Sequence, residues 1–293
     1  GIAAPSRLVN IANMKTWTGP LAFSEFAPQH GSRIGPLVTL AALADAKGLC
    51  RSLYPALAGA AGHAATPNIR NVATLAGNLL QRPRCWYFRS DEFHCRKKGG
   101  HQCFAQDGEN RYHAIFGNET CAIVHPSSLA TPLVAYGARL ELTATGGKKR
   151  EIALEDFLAP PEKDVTRENG LEAGEIVTAV LLPAAVGLRS AYVKQAEKES
   201  FDWPLADVAV VLELKEGRCA KASIVLGAAA PVPWRAKAAE AALLGKAIDE
   251  TTAAAAAKAA LEGARPLAQN GYKLPIFEAI VRRAILEAAA SGK

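Results

Sequence analysis

The sequence predicts an α+β protein in two domains, and three features carry that prediction. The first part alternates short strands and helices, a three-strand meander begins near Ser190, and the chain then runs almost entirely in helix. A Gly- and Pro-containing join, Pro183 to Gly187, divides these parts into domains at 1–183 and 188–293. At 293 residues, 49% of them hydrophobic and 21% charged, the chain is long enough to bury a sizeable core without help from a metal.

Taken in order, Arg7 to Ile11 reads as a strand and Leu21 to Phe23 as another. Ser32 to Gly35 leads through Pro36 to Thr39, whose hydroxyl is placed to cap a helix over Leu40 to Ala46. A second helix over Leu53 to Ala61 stops at Gly62, a Gly/Asn-containing turn covers Thr66 to Asn78, and Arg82 to Cys121 is irregular. Ser127 or Ser128 caps a helix that reaches about Ala135. Strands at Arg139 to Thr145 and Lys149 to Ile152 are joined by a Gly146-Gly147 hairpin turn, and a strand from Glu175 ends at Pro183. The second domain opens with strands at Ser190 to Gln195, Ala206 to Leu214 and, after a Glu216-Gly217 turn, Lys221 to Leu226. Helices over Arg235 to Leu244, Glu250 to Leu261 and Pro275 to Ala289 then cover that sheet, and no internal repeat is evident.

Composition narrows the function classes. No run of eighteen apolar residues occurs, and Thr251 to Ala260 is too short and too weakly apolar to span a bilayer, so a soluble protein without membrane insertion is expected. The first residues, Gly1 to Arg7, carry neither an initiator Met nor the regions of a secretory signal, which predicts processing or loss of upstream sequence. The net charge of +6 is mild and dispersed, with one dense basic group at Arg96-Lys97-Lys98. Trp86, Tyr87, Phe88 and Phe93 lie near it, but no nucleic-acid motif accompanies them, so it reads as a solvated loop facing an acidic partner or an anionic ligand.

Of the six cysteines, Cys50 near a helix end and Cys219 in a strand read as small buried hydrophobes. The other four, Cys85, Cys95, Cys103 and Cys121, share one polar, aromatic-rich stretch with the spacing C-x9-C-x7-C-x17-C. That spacing is too loose for a zinc ribbon, where paired C-x2-C knuckles build the tetrahedron. Disulfides packed into one loop are a small-domain device, so an iron-sulfur cluster ranks first, structural zinc second and disulfides third. His94, His101, His113 and His125 are spare donors that read better as ordinary loop residues, with His94 or His101 the substitute should one cysteine prove dispensable.

Two further strings stand out. Pro67-Asn68-Ile69-Arg70-Asn71, followed by Thr74, Gly77 and Asn78, offers closely spaced N–H groups, hydroxyl and amide donors, and a glycine that permits close approach. Such a turn suits a pyrophosphate or flavin ring, and equally an ordinary loop capped by Asn and Thr. Ser200 to Leu205 flanks Asp202 with Phe201 and Trp203, either to set an aromatic edge near a cofactor or to pack a strand entry. No Ser-His-Asp set, P-loop, HExxH or GxGxxG is present, and no catalytic acid, base or nucleophile is assigned.

Together these residues resemble the FAD-binding (medium) subunit of the molybdenum hydroxylase or xanthine dehydrogenase family, and most of all its flavin subunits with an extra [4Fe-4S] cluster, as in periplasmic aldehyde oxidoreductase and 4-hydroxybenzoyl-CoA reductase. The resemblance runs through Thr66 to Asn78, Cys85 to Cys121, His125-Pro126-Ser127-Ser128, Ser200 to Leu205, Gly227 with Pro231 to Arg235, and Asn270 to Pro275. It implies a PCMH-type FAD-binding domain of two α+β lobes, the first truncated, and then a small domain with a three-stranded antiparallel sheet and a helical bundle. By carry-over, Arg70, Asn71, Thr74, Gly77, Asn78, Ser127, Leu129 and Lys194 would contact FAD, and Cys85, Cys95, Cys103 and Cys121 would ligate the cluster. The family's first Gly-rich loop, upstream of the strand matched by Arg7 to Ile11, has no counterpart, and Ser128 stands where many relatives have Asp.

The resemblance implies an electron-transfer subunit working with a molybdopterin-binding large subunit, a [2Fe-2S] small subunit and an external electron acceptor. The large subunit would oxidise an aldehyde or N-heterocycle. Such a complex would be cytoplasmic, or periplasmic if exported with a partner. Two rivals are a flavin-free, metal-stapled assembly subunit and a zinc-dependent nucleic-acid binder.

Overall fold

A computed structural model describes residues 6–12, 14, 30–45, 49–198 and 201–291; the readings at 21–23 and Ser200 lie outside them. Two antiparallel four-stranded sheets organise the chain. The first contains β1 (Ser32–Ile34), β2 (Arg139–Thr143), β3 (Lys149–Ala153) and β4 (Ile176–Leu182) in the order β1-β4-β2-β3. The second contains β5 (Leu188–Gln195), β6 (Ala206–Lys215), β7 (Arg218–Gly227) and β8 (Trp234–Arg235) in sequence order. Between β1 and the cysteine segment run α1 (Leu40–Ala44), α2 (Leu49–Leu53), α3 (Pro55–His63), α4 (Pro67–Val72) and α5 (Leu75–Leu79). Then come α6 (Trp86–Arg89), α7 (Ala130–Ala135), α8 (Leu154–Phe157), α9 (Lys237–Leu243), α10 (Glu250–Ala259) and α11 (Lys273–Ala290).

Four details depart from the sequence reading. Residues 7–11 form no strand. Thr66 to Asn78 is not a turn but two short helices, because Thr66 and Thr74 each accept from the N–H three residues on, at Ile69 and Gly77, both at 3.2 Å. The second sheet has a fourth, two-residue strand, since the chain doubles back after Pro231 and Pro233 and pairs Trp234 with Leu226. The last helix starts at Lys273, two residues before the expected Pro275.

Alternation along β6 explains the layering. Ala209 and Val211 join the core built on α1, α3, α7 and the first sheet, while Val208, Val210 and Leu212 join the core shared with α9, α10 and α11. The second sheet is therefore a middle layer covered on both sides, so its central strand is nearly continuous in apolar residues, as double-sided burial requires. Its hairpin to β7 turns on Glu216 and Gly217, both at positive φ, the twist-compatible geometry for a two-residue turn.

A buried polar knot ties the two sheets at the join. Tyr54 Oη donates to the Pro183 carbonyl at 2.7 Å, and Tyr136 Oη meets Ser190 Oγ at 2.5 Å. Both Tyr136 Oη and Ser190 Oγ accept from the Ala56 N–H at 3.3 and 3.2 Å, satisfying a donor that the first turn of α3 leaves open. Replacing Tyr54 by Phe removes a donor from a buried carbonyl, and we expect it to cost about 1–2 kcal/mol. Urea denaturation checks this: the midpoint falls at constant m, and an unchanged midpoint would show that water replaces the bond.

Candidate functional site

The cysteine segment has almost no regular structure. Cys85, Cys95, Cys103 and Cys121 all line one narrow cavity, walled by Tyr87, Phe88, Phe104 and His113. Backbone N–H groups are directed at the sulfurs: those of Tyr87 and Phe88 at Cys85, of Ala105 and Ala122 at Cys103, and of Ile123 at Cys121. Cys121 also donates to Cys103, which pulls the Cys103 thiol down to about 6, while burial pushes Cys85 up to about 11. Five cysteines, these four and Cys219, are free thiols. Among the described residues no three His, Cys, Asp or Glu side chains stand close enough to chelate a single ion. Four thiols on one cavity, three of them with N–H donors at the sulfur, nevertheless match in type the donors that a thiolate-bound iron-sulfur group would use.

One histidine lies against these thiols, His113, whose Nε2 is 3.2 Å from Cys85 Sγ. Its ring packs edge-on against Trp86 at 5.2 Å between centroids, and Tyr87, Phe93 and Phe104 continue the aromatic wall. Burial draws His113 down to about 4, so the ring is neutral at pH 7.

The segment between α10 and α11 holds the loop in place through its carbonyls. Asn270 Nδ2 donates to the carbonyls of His113 and Ala114, both at 3.1 Å, and Lys273 Nζ donates to those of His113 at 3.1 Å and Ala228 at 2.6 Å. Asn110 and Gln269 exchange reciprocal bonds, and Tyr272 Oη donates to the Arg111 carbonyl. These bonds satisfy backbone groups that a helix or strand would otherwise pair.

A larger cavity of about 360 Å³ lies between this loop and the second sheet. Cys85, Trp86, Tyr112 and His113 form its loop side; Trp203, Leu205, Asp207 and Ala228 form its sheet side; His125, Pro126 and Ser128 line it between them. Its volume and mixed lining suit one planar heterocycle. Two contacts bridge its two sides: Tyr112 Oη donates to Glu197 at 2.6 Å, and the Arg84 guanidinium lies 5.1 Å from the Trp203 ring centroid. Cys85 and His113 line both cavities, so one layer of side chains separates the thiols from the larger space.

The flavin residues expected from sequence fall into two groups around this cavity. Asn78 Oδ1 accepts from Ser127 Oγ at 2.6 Å and from the Leu129 N–H at 3.4 Å, which brings those three together. Lys194 Nζ donates to the carbonyls of Asp202 at 2.7 Å and His63 at 3.0 Å, and lies near enough to Arg70 for the guanidinium to add to the desolvation that lowers its pKa. Arg70 is itself bound to the carbonyls of Ala64 and Ala65. Asn71 and Gly77 are exposed, and the Thr74 hydroxyl is spent on its cap. None of the eight lines the larger cavity; Lys194, bonded to Asp202, and Ser127 and Leu129, which flank Ser128, adjoin residues that do.

Sequence reasoning missed Asp207 and Lys273. Asp207 is 1% exposed and desolvation pushes its pKa up to about 7; Lys273 is 0% exposed and desolvation draws its ammonium down to about 7. A signal existed for the first: Asp207 is the one charged residue in the apolar run Ala206 to Leu212, which reads as a doubly buried strand.

Comparison with known proteins follows the same outline. Residues 3–185 match the family described as FAD binding domain in molybdopterin dehydrogenase, and residues 191–288 match the CO dehydrogenase flavoprotein C-terminal domain. The chain is 34% identical over 294 residues to the aldehyde oxidoreductase FAD-binding subunit PaoB of Escherichia coli (strain K12), covering 99% of this chain and 87% of that protein. It is 26% identical over 296 residues to the nicotine 6-hydroxylase medium subunit of Paenarthrobacter nicotinovorans, covering 99% and 84%. Among solved structures, a quinoline 2-oxidoreductase chain from Pseudomonas putida 86 superposes with a TM-score of 0.66 at 26% identity, covering 92% of this chain and 77% of that one. A Cu,Mo-CO dehydrogenase chain shares the fold with a TM-score of 0.71 at 24% identity, covering 99% and 85%.

If Asn270 carries the loop, Asn270→Ala takes one of two donors from each of the His113 and Ala114 carbonyls, which keep Lys273 and Asn118, and strands the Leu267 N–H, at a cost of about 1–2 kcal/mol confined to one region. Native-state hydrogen exchange should then quicken at the Ala114 amide, which bonds the Ala122 carbonyl at 2.9 Å, while β6 amides keep wild-type protection. Uniform acceleration would mean that Asn270 supports the whole fold instead.

Proposed function

The chain belongs to the FAD-binding subunits of the aldehyde, xanthine and CO dehydrogenase-type molybdenum oxidoreductases, and from that premise we propose that it relays electrons between iron-sulfur centres and an external acceptor. FAD, when bound, supplies the chemistry that collects electrons singly from metal centres and passes them on in pairs. The expected partners are a molybdopterin-binding large subunit, which oxidises an aldehyde or N-heterocycle, and a [2Fe-2S] small subunit. No helix among the described residues is long and apolar enough to cross a membrane. Assembly in the cytoplasm, with export alongside a partner where the complex is periplasmic, is compatible with this.

The chain's own residues divide the work of holding these groups. The cavity between the cysteine loop and the second sheet would take the flavin ring, with Ser127, Leu129 and Asn78 fixing the turn beneath it. Arg70 and Lys194 would carry positive charge toward the dinucleotide's anionic part, with Asn71, Thr74 and Gly77 beside them. Cys85, Cys95, Cys103 and Cys121 would ligate a [4Fe-4S] cluster whose sulfurs accept from the surrounding N–H groups.

The observation that carries the relay reading is the shared wall. Cys85 and His113 face both spaces, so a cluster on the thiols and a ring in the larger cavity would be neighbours. Against the alternative role, a metal staple for the loop, stand the bonds from Asn270, Gln269, Tyr272 and Lys273, which give the loop protein anchors of its own.

Two measurements test this. The purified complex should show flavin absorbance together with about four irons and four sulfides per copy of this chain beyond those of its partners. Cys103→Ser should lower iron and sulfide and slow acceptor reduction while the three subunits still copurify with FAD. Loss of copurification would sink the relay reading in favour of the staple.

A further inference from the structure

Three buried oxygens meet at the seam between α7 and the second sheet: Asp207 Oδ1 and the hydroxyls of Thr131 and Tyr192, which lie close enough to interact with that carboxyl group, though in poor hydrogen-bond geometry. Each belongs to a buried residue, and Asp207 also lines the 360 Å³ cavity. In register, Asp207 lies between Lys194 on β5 and Gly227 on β7. A Cβ at Gly227 would overlap both carboxyl oxygens and Thr131 Oγ1, so the glycine is what gives the acid its space. The fold makes room for this side chain and surrounds it with hydroxyls, those of Thr131 and Tyr192, and no contacting cation.

The charged groups around it do not neutralise it. On β5, Lys194 spends its ammonium on the carbonyls of Asp202 and His63; on α11, Lys273 spends its own on those of His113 and Ala228. From β5 comes also the Tyr192 hydroxyl, from α7 that of Thr131, and from the segment before α7 the neutral His125 and Ser128. A carboxylate buried without a contacting cation is costly, whereas a protonated acid needs only an acceptor for its O–H.

We propose that Asp207 binds the flavin as a neutral carboxylic acid, donating a hydrogen bond from its buried carboxyl group to a carbonyl oxygen or ring nitrogen of the heterocycle. The inference rests on FAD occupying this cavity. Asp207 thus selects a planar, acceptor-bearing heterocycle, and the ligand supplies the acceptor that the acid's O–H needs. The desolvation that raises its pKa to about 7 keeps the donor form available at neutral pH. The sign of the linkage follows: binding is strongest where Asp207 is protonated and is lost as pH rises through that value.

The experiment is FAD binding to the flavin-depleted complex, followed by fluorescence from pH 5.5 to 9, for wild type, Asp207→Asn and Asp207→Ala. Asn keeps an N–H donor and cannot ionise. The proposal expects wild-type Kd to be flat below about pH 6 and to rise by up to tenfold per pH unit above about 7. Asp207→Asn should bind independently of pH, near the wild-type affinity at pH 6, and Asp207→Ala should bind weakly throughout. Lys273 titrates in the same range but is retained in every variant, so only the trend abolished by Asp207→Asn belongs to the acid. A wild-type Kd flat with pH, or an Asp207→Asn complex that keeps the wild-type slope, would overturn the proposal while leaving FAD binding intact. A wild-type complex that takes up no FAD at any pH would overturn both.

Discussion

The burial of β6 on both faces is the constraint on which the rest of the structure depends. Because the second sheet is a middle layer, α3 and α7 must pack on one of its sides and α9, α10 and α11 on the other. The two halves of the chain consequently share a core, with Tyr192, Ala209, Val211 and Val225 of the second sheet contributing to the cluster built mainly by the first half. Polar groups at such a seam have no water to fall back on. They are either knotted to one another, as Tyr54, Tyr136 and Ser190 are, or held open toward a cavity, as Asp207 is. The first arrangement fixes the layers, and the second marks where a ligand can complete them.

The cysteine loop solves a different problem with different means. With only α6 and a 3₁₀ turn at Arg96–Lys98 for regular structure, it must find partners for its backbone elsewhere. The connection between α10 and α11 supplies them through side chains with several donors, Asn270 and Lys273 above all, and aromatic edge contacts fill the interior. A buried Lys273 is expensive, and its N–H groups offset part of that cost by reaching the carbonyls of Ala228 and, alongside Asn270, His113. His113 is therefore set from both ends: its carbonyl by Asn270 and Lys273, its ring by Trp86 and Cys85.

The legible and illegible parts of the sequence follow from these two cases. Strands β5, β6 and β7 and their Glu216-Gly217 turn were readable because alternation, apolar runs and turn chemistry are local signals. Helix α11 was readable for the same reason, apart from its first turn, since Lys273 looks like a solvated charge until its carbonyl partners are seen. The Thr66 to Asn78 segment misled because Asn, Gly and Thr are common to turns and to capped short helices; only the position of each Thr three residues before an acceptable donor distinguishes them. Placing His113 against Cys85 was beyond sequence, because its distance to Cys85 is set by contacts from residues more than 150 positions away. Asp207 was detectable in principle, as an acid in a run that buries both faces, yet its role depends on Gly227 across the ladder.

What unites the two spaces is electrostatic. In a water-poor interior the effective dielectric is low, so a charge that arrives on one side of the Cys85-His113 wall is felt on the other far more than it would be in solvent. On the proposed reading, a thiolate-bound cluster would be anionic and a reduced flavin tends to become so, and holding both beside the Cys85-His113 wall would raise the cost of reducing both at once. Neutral groups on the flavin side limit that cost. His113 and His125 are held uncharged by burial, and an acid kept protonated at Asp207 adds a donor dipole without adding a second negative charge. A carboxylate in that position would oppose electron arrival, whereas a neutral acid stabilises the density that arrives. The same burial that makes Asp207 an awkward residue for the apoprotein is thus what would suit it to the electron-receiving site proposed here.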